Sequence, residues 1–248
     1  MKKWIKIIAL IGGLALVWLT LATPSSDIYG SVYYHGPEKE TVPTLKLALT
    51  FDDGPYGEPT QKILDILKEK NVKATFFLVG ANAQKYPDLV KSEIAEGHIV
   101  GNHSQDHAQN LASEPVAKFK TNVLEAEKNI FDASGLHPRF YRPPFGLTSS
   151  AVLKTLSDLG YQVIMWDNMT NDWDAKQPGK DIAARIIKRL KPDGIIGLHD
   201  GRDTHLNYPR EDTIEALPII IDQARAAGYE FVPLDELLNE KPYFEKAN

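Results

Sequence analysis

The chain has 248 residues, 43% of them hydrophobic and 25% charged, which is the balance of an ordinary globular protein with a sizeable core. A formal net charge of -5 gives no electrostatic basis for binding nucleic acid. The absence of cysteine excludes disulfides and thiolate metal sites, so histidine and carboxylate side chains would have to hold any transition metal.

The first 22 residues have the layout of an export signal. Three lysines within the first six residues precede the uncharged apolar stretch 7–22. Thr20-Leu21-Ala22 offers a small-residue cleavage site, whereas the apolar stretch approaches the roughly 20 residues that span a membrane. A buried helix is the alternative. We predict that residues 1–22 are a cleaved signal peptide or a retained membrane anchor, and that the protein is extracellular or at the cell surface. The proline-containing segment 23–43 is predicted to be a linker.

From Leu45 onward, two hydrophobic periods alternate. Short β-rich runs predict seven strands, at 45–51, 74–79, 98–101, 140–141, 162–166, 194–198 and 229–232. Amphipathic stretches between them predict helices around 59–67, 89–94, 116–131, 152–156, 182–190 and 214–227. Glycines at 97, 135, 160 and 228 stand where helices should end. The repeated order of strand and helix predicts a parallel α/β sheet, either open or closed, and seven units favour a distorted (β/α) barrel.

Polar residues cluster after the predicted strands. Both parallel architectures place functional residues in loops at the C-terminal ends of strands. The residues found there, in chain order, are Asp52, Asp53, His103, His107, Arg142, Asp172, Trp173 and His199. On a regular strand the first two would point to opposite faces, but the following Gly-Pro predicts a turn that brings both carboxylates into one cleft.

Each motif alone also has a structural explanation. The two aspartates could form an Asx turn, the two histidines could be solvated, and Arg142 could make a surface ion pair. Asp172 could cap a helix, and His199 could be a buried core histidine. Taken together they favour a site, because two imidazoles and one carboxylate supply the three protein ligands of an open catalytic zinc centre.

The segments TFDDGP, HSQDH, RPPFG, NDW and LHD, in this order, resemble the five motifs of the polysaccharide deacetylases, carbohydrate esterase family 4 or the NodB homology domain. The resemblance covers about residues 44–238, and we take 44–240 as the domain. It implies a distorted, TIM-like β/α barrel of seven or eight strands. It also implies that Asp53, His103 and His107 bind a divalent metal, usually Zn²⁺ with Co²⁺ or Ni²⁺ as alternatives, and that Asp52 is the general base.

The same resemblance implies roles for the remaining motif residues. Arg142 would pair with the base, His199 would protonate the departing amine, and Asp172 would orient His199. The backbone N–H of Phe145 would stabilise the oxyanion. Separately from the resemblance, Trp173, Leu198 and Ile195 are candidate walls of the substrate pocket. The sequence departs from the family pattern at Met169, where aspartate is common, and at Gly197, where leucine often lines the acetyl pocket.

The expected partner is an N-acetylated glycan such as peptidoglycan, a chitin-like oligomer or poly-N-acetylglucosamine, bound by a monomer. Two alternatives stay open. A metal-dependent hydrolase of another acyl or amide substrate would share the metal site and differ in the pocket. A non-catalytic glycan-binding module would need neither Asp52 nor His199.

Overall fold

The computed structural model describes residues 32–37, 45–174, 177–201 and 210–245. These ranges contain nine strands in one sheet: β1 Val32–Tyr33, β2 Lys46–Asp52, β3 Ala74–Leu78, β4 Ile99–Asn102, β5 Phe140–Tyr141, β6 Gln162–Ile164, β7 Asn168–Met169, β8 Gly194–His199 and β9 Glu230–Phe231. They also contain eight α-helices: α1 Gly57–Glu69, α2 Gly80–Lys85, α3 Pro87–Ala95, α4 Val116–Ser134, α5 Ser150–Asp158, α6 Gly179–Lys188, α7 Glu211–Ala226 and α8 Leu234–Leu238.

The sheet is parallel throughout its strand pairs and curls into a distorted barrel. The strand order is β1-β6-β5-β4-β3-β2-β8-β7, with β9 beside the start of β2. Strands β6 and β7 are separated only by residues 165–167. β6 pairs with β5 near one end of the strand order, whereas β7 pairs with β8 at the other end. The predicted fold class is confirmed. The predicted number of strands is too low, because β1 and β7 are only two residues long and show no periodicity.

Alternation along β2 explains how one strand serves two different layers. Leu47, Leu49 and Phe51 pack against the surrounding helices in the outer core. Ala48 belongs to the inner core, and Thr50 and Asp52 also face inward, towards a buried arginine. Because side chains alternate along a strand, the inner row of β2 leads directly to the C-terminal end of the barrel.

The helices cover the outside of the sheet with their apolar faces. Ile63 of α1, Ile182 of α6 and Ile220 of α7 are fully buried in the outer core. The four glycines expected after helices all have positive φ, as at the end of α4, where Gly135 has φ 74°. Helices α2 and α8 were not predicted, since six and five residues are too few to show a helical period.

Part of the predicted linker belongs to the fold. Val32 and Tyr33 pair with β6, and His35 forms a bridge to Gly194 at the start of β8. The Tyr33 hydroxyl donates a hydrogen bond to Glu240 at 2.8 Å. Residues 32–37 are therefore a structural part of the barrel wall, while the predicted signal or anchor, 1–22, lies outside the described residues. None of the helices in the described ranges has the length and apolarity that crossing a membrane requires.

Candidate active site

The turn after β2 brings two neighbouring carboxylates to one cavity. Asp52 is the last residue of β2 and points inward, while Asp53 has φ 73°, in the left-handed region that aspartate tolerates better than most residues. This conformation breaks the alternation of the strand. The N–H groups of Asp200 and Gly201 donate to Asp52 O at 3.2 and 3.3 Å and fix the turn to the end of β8. The predicted turn geometry is therefore present.

Asp53, His103 and His107 form a compact, buried cluster. One potential ligand atom from each lies within 4.8 Å of the others. The distances from Asp53 Oδ1 are 3.5 Å to His103 Nε2 and 3.2 Å to His107 Nε2. His103 Nδ1 lies 2.7 Å from the carbonyl oxygen of Arg142, so Nδ1 carries the proton and Nε2 presents its lone pair to the cluster. The structure thus brings together the three residues that the sequence predicts as metal ligands.

The electrostatics of this cluster fit a divalent cation. Burial by itself raises the pKa of Asp53, but the neighbouring imidazoles of His103, His107 and His199 outweigh it and leave the pKa below its usual value. Asp53 Oδ1 is buried and has no hydrogen-bond partner in the described ranges. A buried carboxylate oxygen without a partner is costly, and a cation held with two imidazole nitrogens would satisfy it.

Arg142 lies beneath the cluster and holds Asp52. Its side chain is fully buried, and Nη1 donates to Asp52 Oδ1 at 2.7 Å and to Thr50 Oγ1 at 2.7 Å. Nε and Nη2 donate to the carbonyl oxygens of Ile164 and Met165. Burial lowers the pKa of Arg142, and the contact with Asp52, which raises it, offsets this only in part. The guanidinium therefore has fixed partners on three sides, and Asp52 Oδ2 is left for other contacts.

His199 and Asp172 form a second pair at the same cavity. His199 Nδ1 lies 2.8 Å from Asp172 Oδ1, and the His199 N–H donates to Asp172 Oδ2 at 2.8 Å. The carboxylate fixes the proton on Nδ1 of the neutral ring and directs Nε2 away from itself. Burial lowers the pKa of His199, but Asp172 more than compensates and raises it to about 9.

Asp52, His199 and the three residues of the Asp53 cluster line one open cavity of about 240 Å³, while Arg142 and Asp172 lie behind its wall. Its lining residues are Asp52, Asp53, His103, His107, Phe145, Trp166, Met169, Trp173, His199 and Arg210. Phe145 packs on His107 with ring centroids 4.4 Å apart, and Trp173 meets His199 edge-on at 5.1 Å. The prediction that Leu198 walls the pocket is wrong: alternation along β8 turns it outward, where it is fully buried in the outer core.

The sequence profile described as polysaccharide deacetylase matches residues 39–164. A peptidoglycan-N-acetylglucosamine deacetylase of Bacillus cereus is 35% identical over 215 residues, which cover 86% of this chain and 95% of the relative. The chain belongs to the polysaccharide deacetylase family. The resemblance identified from the five motifs is thereby confirmed.

Two further comparisons place this polysaccharide deacetylase among its relatives. The peptidoglycan-N-acetylglucosamine deacetylase PgdA of Listeria monocytogenes is 36% identical over 218 residues, but the chain spans only 44% of that protein's length. A crystal structure of a peptidoglycan N-acetylglucosamine deacetylase in complex with 4-naphthalen-1-yl-N-oxidanyl-benzamide superposes with a TM-score of 0.79. The identity is 33%, and the match covers 89% of this chain and 99% of the other.

Several residues of this deacetylase site were missed by motif reasoning. Arg210 is buried beside the cluster of Asp53, His103 and His107, with Nη2 3.9 Å from Asp53 Oδ2, and its Nε donates to Gly201 O. Thr213 Oγ1 donates to Asp172 Oδ2 at 2.9 Å. Thr60 Oγ1 donates to the buried Asp200 carboxylate at 2.6 Å. The available signal was position: Arg210 and Thr213 follow β8, as functional residues of a parallel sheet do, but neither belongs to a recognisable motif.

Proposed function

We propose that this protein is a metal-dependent hydrolase that removes N-acetyl groups from an extracellular or cell-wall glycan. The observation that carries the proposal is the shared placement of two acid–base pairs beside one potential metal cluster. Asp52 and His199 are register partners at the ends of the adjacent strands β2 and β8, and both line the cavity that the cluster lines. An amide held there would have a proton acceptor and a proton donor within reach.

We propose Zn²⁺ as the native metal, with Co²⁺ or Ni²⁺ as substitutes, held by Asp53, His103 and His107. A donor set of one carboxylate and two imidazoles, without thiolate, suits these borderline ions. When bound, the metal would polarise the amide carbonyl and lower the pKa of water to about 7. The backbone N–H of Phe145, whose ring lines the cavity, is proposed to stabilise the oxyanion as a second donor.

Asp52 is proposed to accept the proton from the attacking water. Arg142 binds Oδ1 of this carboxylate at 2.7 Å through a charge-assisted hydrogen bond, so Oδ2 is the oxygen proposed to receive the proton. The three other contacts of the guanidinium keep the carboxylate at a constant position. A fixed, ionised carboxylate that is not needed as a metal ligand is the form of general base that amide hydrolysis requires.

His199 is proposed to deliver a proton to the departing amine. Asp172 holds Nδ1 and raises the pKa of His199 to about 9, so the ring carries a proton on Nε2 at neutral pH. The edge of Trp173 against His199 restricts the ring further. Asp52 and His199 thus divide the two proton transfers between separate residues.

The substrate class is proposed from the family and from the expected compartment. The relatives compared above are named as peptidoglycan-N-acetylglucosamine deacetylases, which supports a cell-wall glycan ahead of the chitin-like and poly-N-acetylglucosamine alternatives. Export by residues 1–22 would place the domain beside such a polymer. Loss of an acetyl group leaves an amine that gains a positive charge at neutral pH, so the reaction would change the charge of the wall.

The test combines metal analysis with a substrate panel. The purified protein should contain close to one equivalent of Zn²⁺ and release acetate from N-acetylglucosamine oligomers or peptidoglycan. A chelator should abolish the release and Zn²⁺ should restore it. His107→Ala should lose the metal, whereas His137→Ala, a matched histidine that pairs with Glu127 away from the cavity, should retain it.

Each alternative predicts a different result on the same panel. Release of other acyl groups or cleavage of small amides, without acetate from any glycan, would favour a hydrolase of a different substrate. Binding of glycans with metal present but no turnover of any of them would favour a non-catalytic module. Metal content unchanged by His107→Ala would contradict the proposed ligand set.

A further inference from the structure

We propose that Met169 closes the inner end of the cavity and determines which acyl group the enzyme removes. This inference rests on the proposed deacylation, and it deepens that function by assigning a residue to acyl selection. The two positions at which the sequence departs from the family pattern, 169 and 197, are direct cross-strand partners in the pairing of β7 with β8. The two departures therefore lie side by side in the sheet and affect the same part of the cavity wall.

Gly197 lies deeper in the barrel than the acid–base groups. It precedes His199 by two residues on β8 and is the register partner of Thr50, while His199 is the partner of Asp52. Two residues along a strand correspond to about 7 Å, and both residues face the same side. The layer formed by Thr50 and Gly197 therefore lies below the layer formed by Asp52 and His199.

The side chain of Met169 occupies the space that a side chain at position 197 would need. A Cβ atom built on Gly197 would lie 3.3 Å from Met169 Cε and 3.5 Å from Trp166 Cβ and Cγ. The first distance is shorter than ordinary carbon contacts, and a leucine would extend further into the same volume. A large residue at 197 would therefore require the end of the Met169 side chain to move, and with glycine at 197 Met169 provides the apolar wall at this place.

The acyl group is the part of the substrate that reaches this wall. The cavity of about 240 Å³ is open on one side and is too small for a glycan chain, so the sugars remain at the mouth. With the amide carbon between Asp52 and His199, only the acyl substituent extends inward. Its contacts there are Met169 and Trp166, which both line the cavity.

A cavity wall formed by methionine is more adaptable than one formed by leucine. Methionine is unbranched and has three rotatable bonds, so its end adapts to neighbours more readily than that of leucine. One methylene in an apolar pocket changes specificity by roughly 10- to 200-fold. Shortening residue 169 should therefore change the preference between acetyl and longer acyl groups more than it changes metal binding or stability.

The experiment compares N-acetyl-, N-propionyl- and N-butyryl-glucosamine oligomers with the Zn²⁺-loaded protein. Met169→Ala should raise the ratio of kcat/KM for propionyl over acetyl by about tenfold or more. In Met169→Leu the propionyl-to-acetyl ratio should stay within about threefold of that of the unchanged protein. The double variant Met169→Ala with Gly197→Leu should restore the original ratio, because leucine at 197 refills the vacated volume. Val116→Ala, an exposed apolar position on α4, is the matched control and should leave the ratio unchanged.

A binding measurement separates failure of this inference from failure of the proposed function. Dissociation constants of aceto-, propiono- and butyrohydroxamate measure the acyl end without turnover. Met169→Ala should improve the affinity for butyrohydroxamate relative to acetohydroxamate by about tenfold. If the protein releases no acyl group from any oligomer, the proposed function fails, and the hydroxamate series still decides the role of Met169. Equal relative affinities in Met169→Ala and Val116→Ala would overturn the inference.

Discussion

The two acid–base pairs at the cavity are built in opposite ways. In the pair of Asp52 and Arg142 the partner is a fully buried cation with contacts to four oxygen atoms, two of them backbone carbonyls. In the pair of His199 and Asp172 the partner is a buried carboxylate that binds both the ring and the backbone N–H of His199. Arg142 follows β5, which is three positions from β2 in the strand order, whereas Asp172 follows β7, the direct neighbour of β8.

This difference between the two pairs explains how one cavity can hold both a base and an acid. Arg142 holds Asp52 by one oxygen and leaves the other for the role of proton acceptor. Asp172 stabilises a positive charge on His199 and raises its pKa to about 9, so the imidazole is ready to donate one. Register partners on β2 and β8 are therefore paired with groups of opposite charge, a cation for Asp52 and a carboxylate for His199.

The largest expected effect comes from removing the base while keeping its shape. Asp52→Asn should reduce kcat/KM by about 10³-fold, since positioned general bases contribute roughly 10² to 10⁴. Metal content should be unchanged, because Asp52 is not one of the three proposed ligands. Acetate release from an N-acetylglucosamine oligomer and metal analysis measure the two quantities. Retention of more than a tenth of the activity would remove Asp52 from the role of base.

The second-largest loss of activity should come from replacing Arg142 by lysine, which keeps the positive charge but removes the planar guanidinium. Arg142→Lys should lower kcat/KM by about 10²-fold, because an ammonium group cannot contact Asp52, Thr50 and two carbonyl oxygens together. The variant should also unfold at lower temperature, since buried carbonyl oxygens lose their donors. Arg139→Lys, at a partly exposed ion pair with Glu240, is the control. Full activity in Arg142→Lys would show that charge alone suffices.

The barrel was predictable because its main strands are long enough to show a pattern. The apolar run of β2 and the glycines after helices locate elements without any tertiary information. Strands β1 and β7, with two residues each, take their conformation from the neighbours they pair with. Nothing in the local sequence marked β1 as a strand, which is why residues 32–37 were placed in a linker.

The site shows the same division between local and tertiary information. Asp53, His103 and His107 were predicted because each lies in a recognisable motif after a strand. Leu198 was assigned to the wrong face, because adjacency to His199 in sequence means opposition on a strand. Arg210 and Met169 became visible as cavity-lining residues only when position 210 and the short strand β7 were placed beside the cavity. Contacts between distant segments determine these positions, and no spacing in the sequence records them.

A smaller effect, with a distinctive pH dependence, is expected from Asp172→Asn. Activity that needs protonated His199 should persist below pH 9 and fall as the pH rises through about 9. Asparagine removes the charge that raises the pKa of His199, while burial, which lowers it, remains. The alkaline limb should therefore move to lower pH, and activity at pH 7 should fall about 30-fold. Asp158→Asn, at an exposed pair with Lys154, should leave the limb unmoved. An unmoved limb in Asp172→Asn would contradict the assignment of His199 as the acid.

The smallest effect should come from the residue that supports Asp172 from behind. Thr213→Val removes one hydrogen bond of 2.9 Å to Asp172 Oδ2 and keeps the side-chain shape. Asp172 retains both of its contacts with His199, so kcat should fall only about fivefold, the value of one hydrogen bond of roughly 1 kcal/mol. Thr121→Val, where an exposed threonine donates to Ala117 O on α4, should have no effect on kcat. A loss in Thr213→Val as large as that in Asp172→Asn would mean that the threonine, and not the carboxylate charge, holds His199 in position.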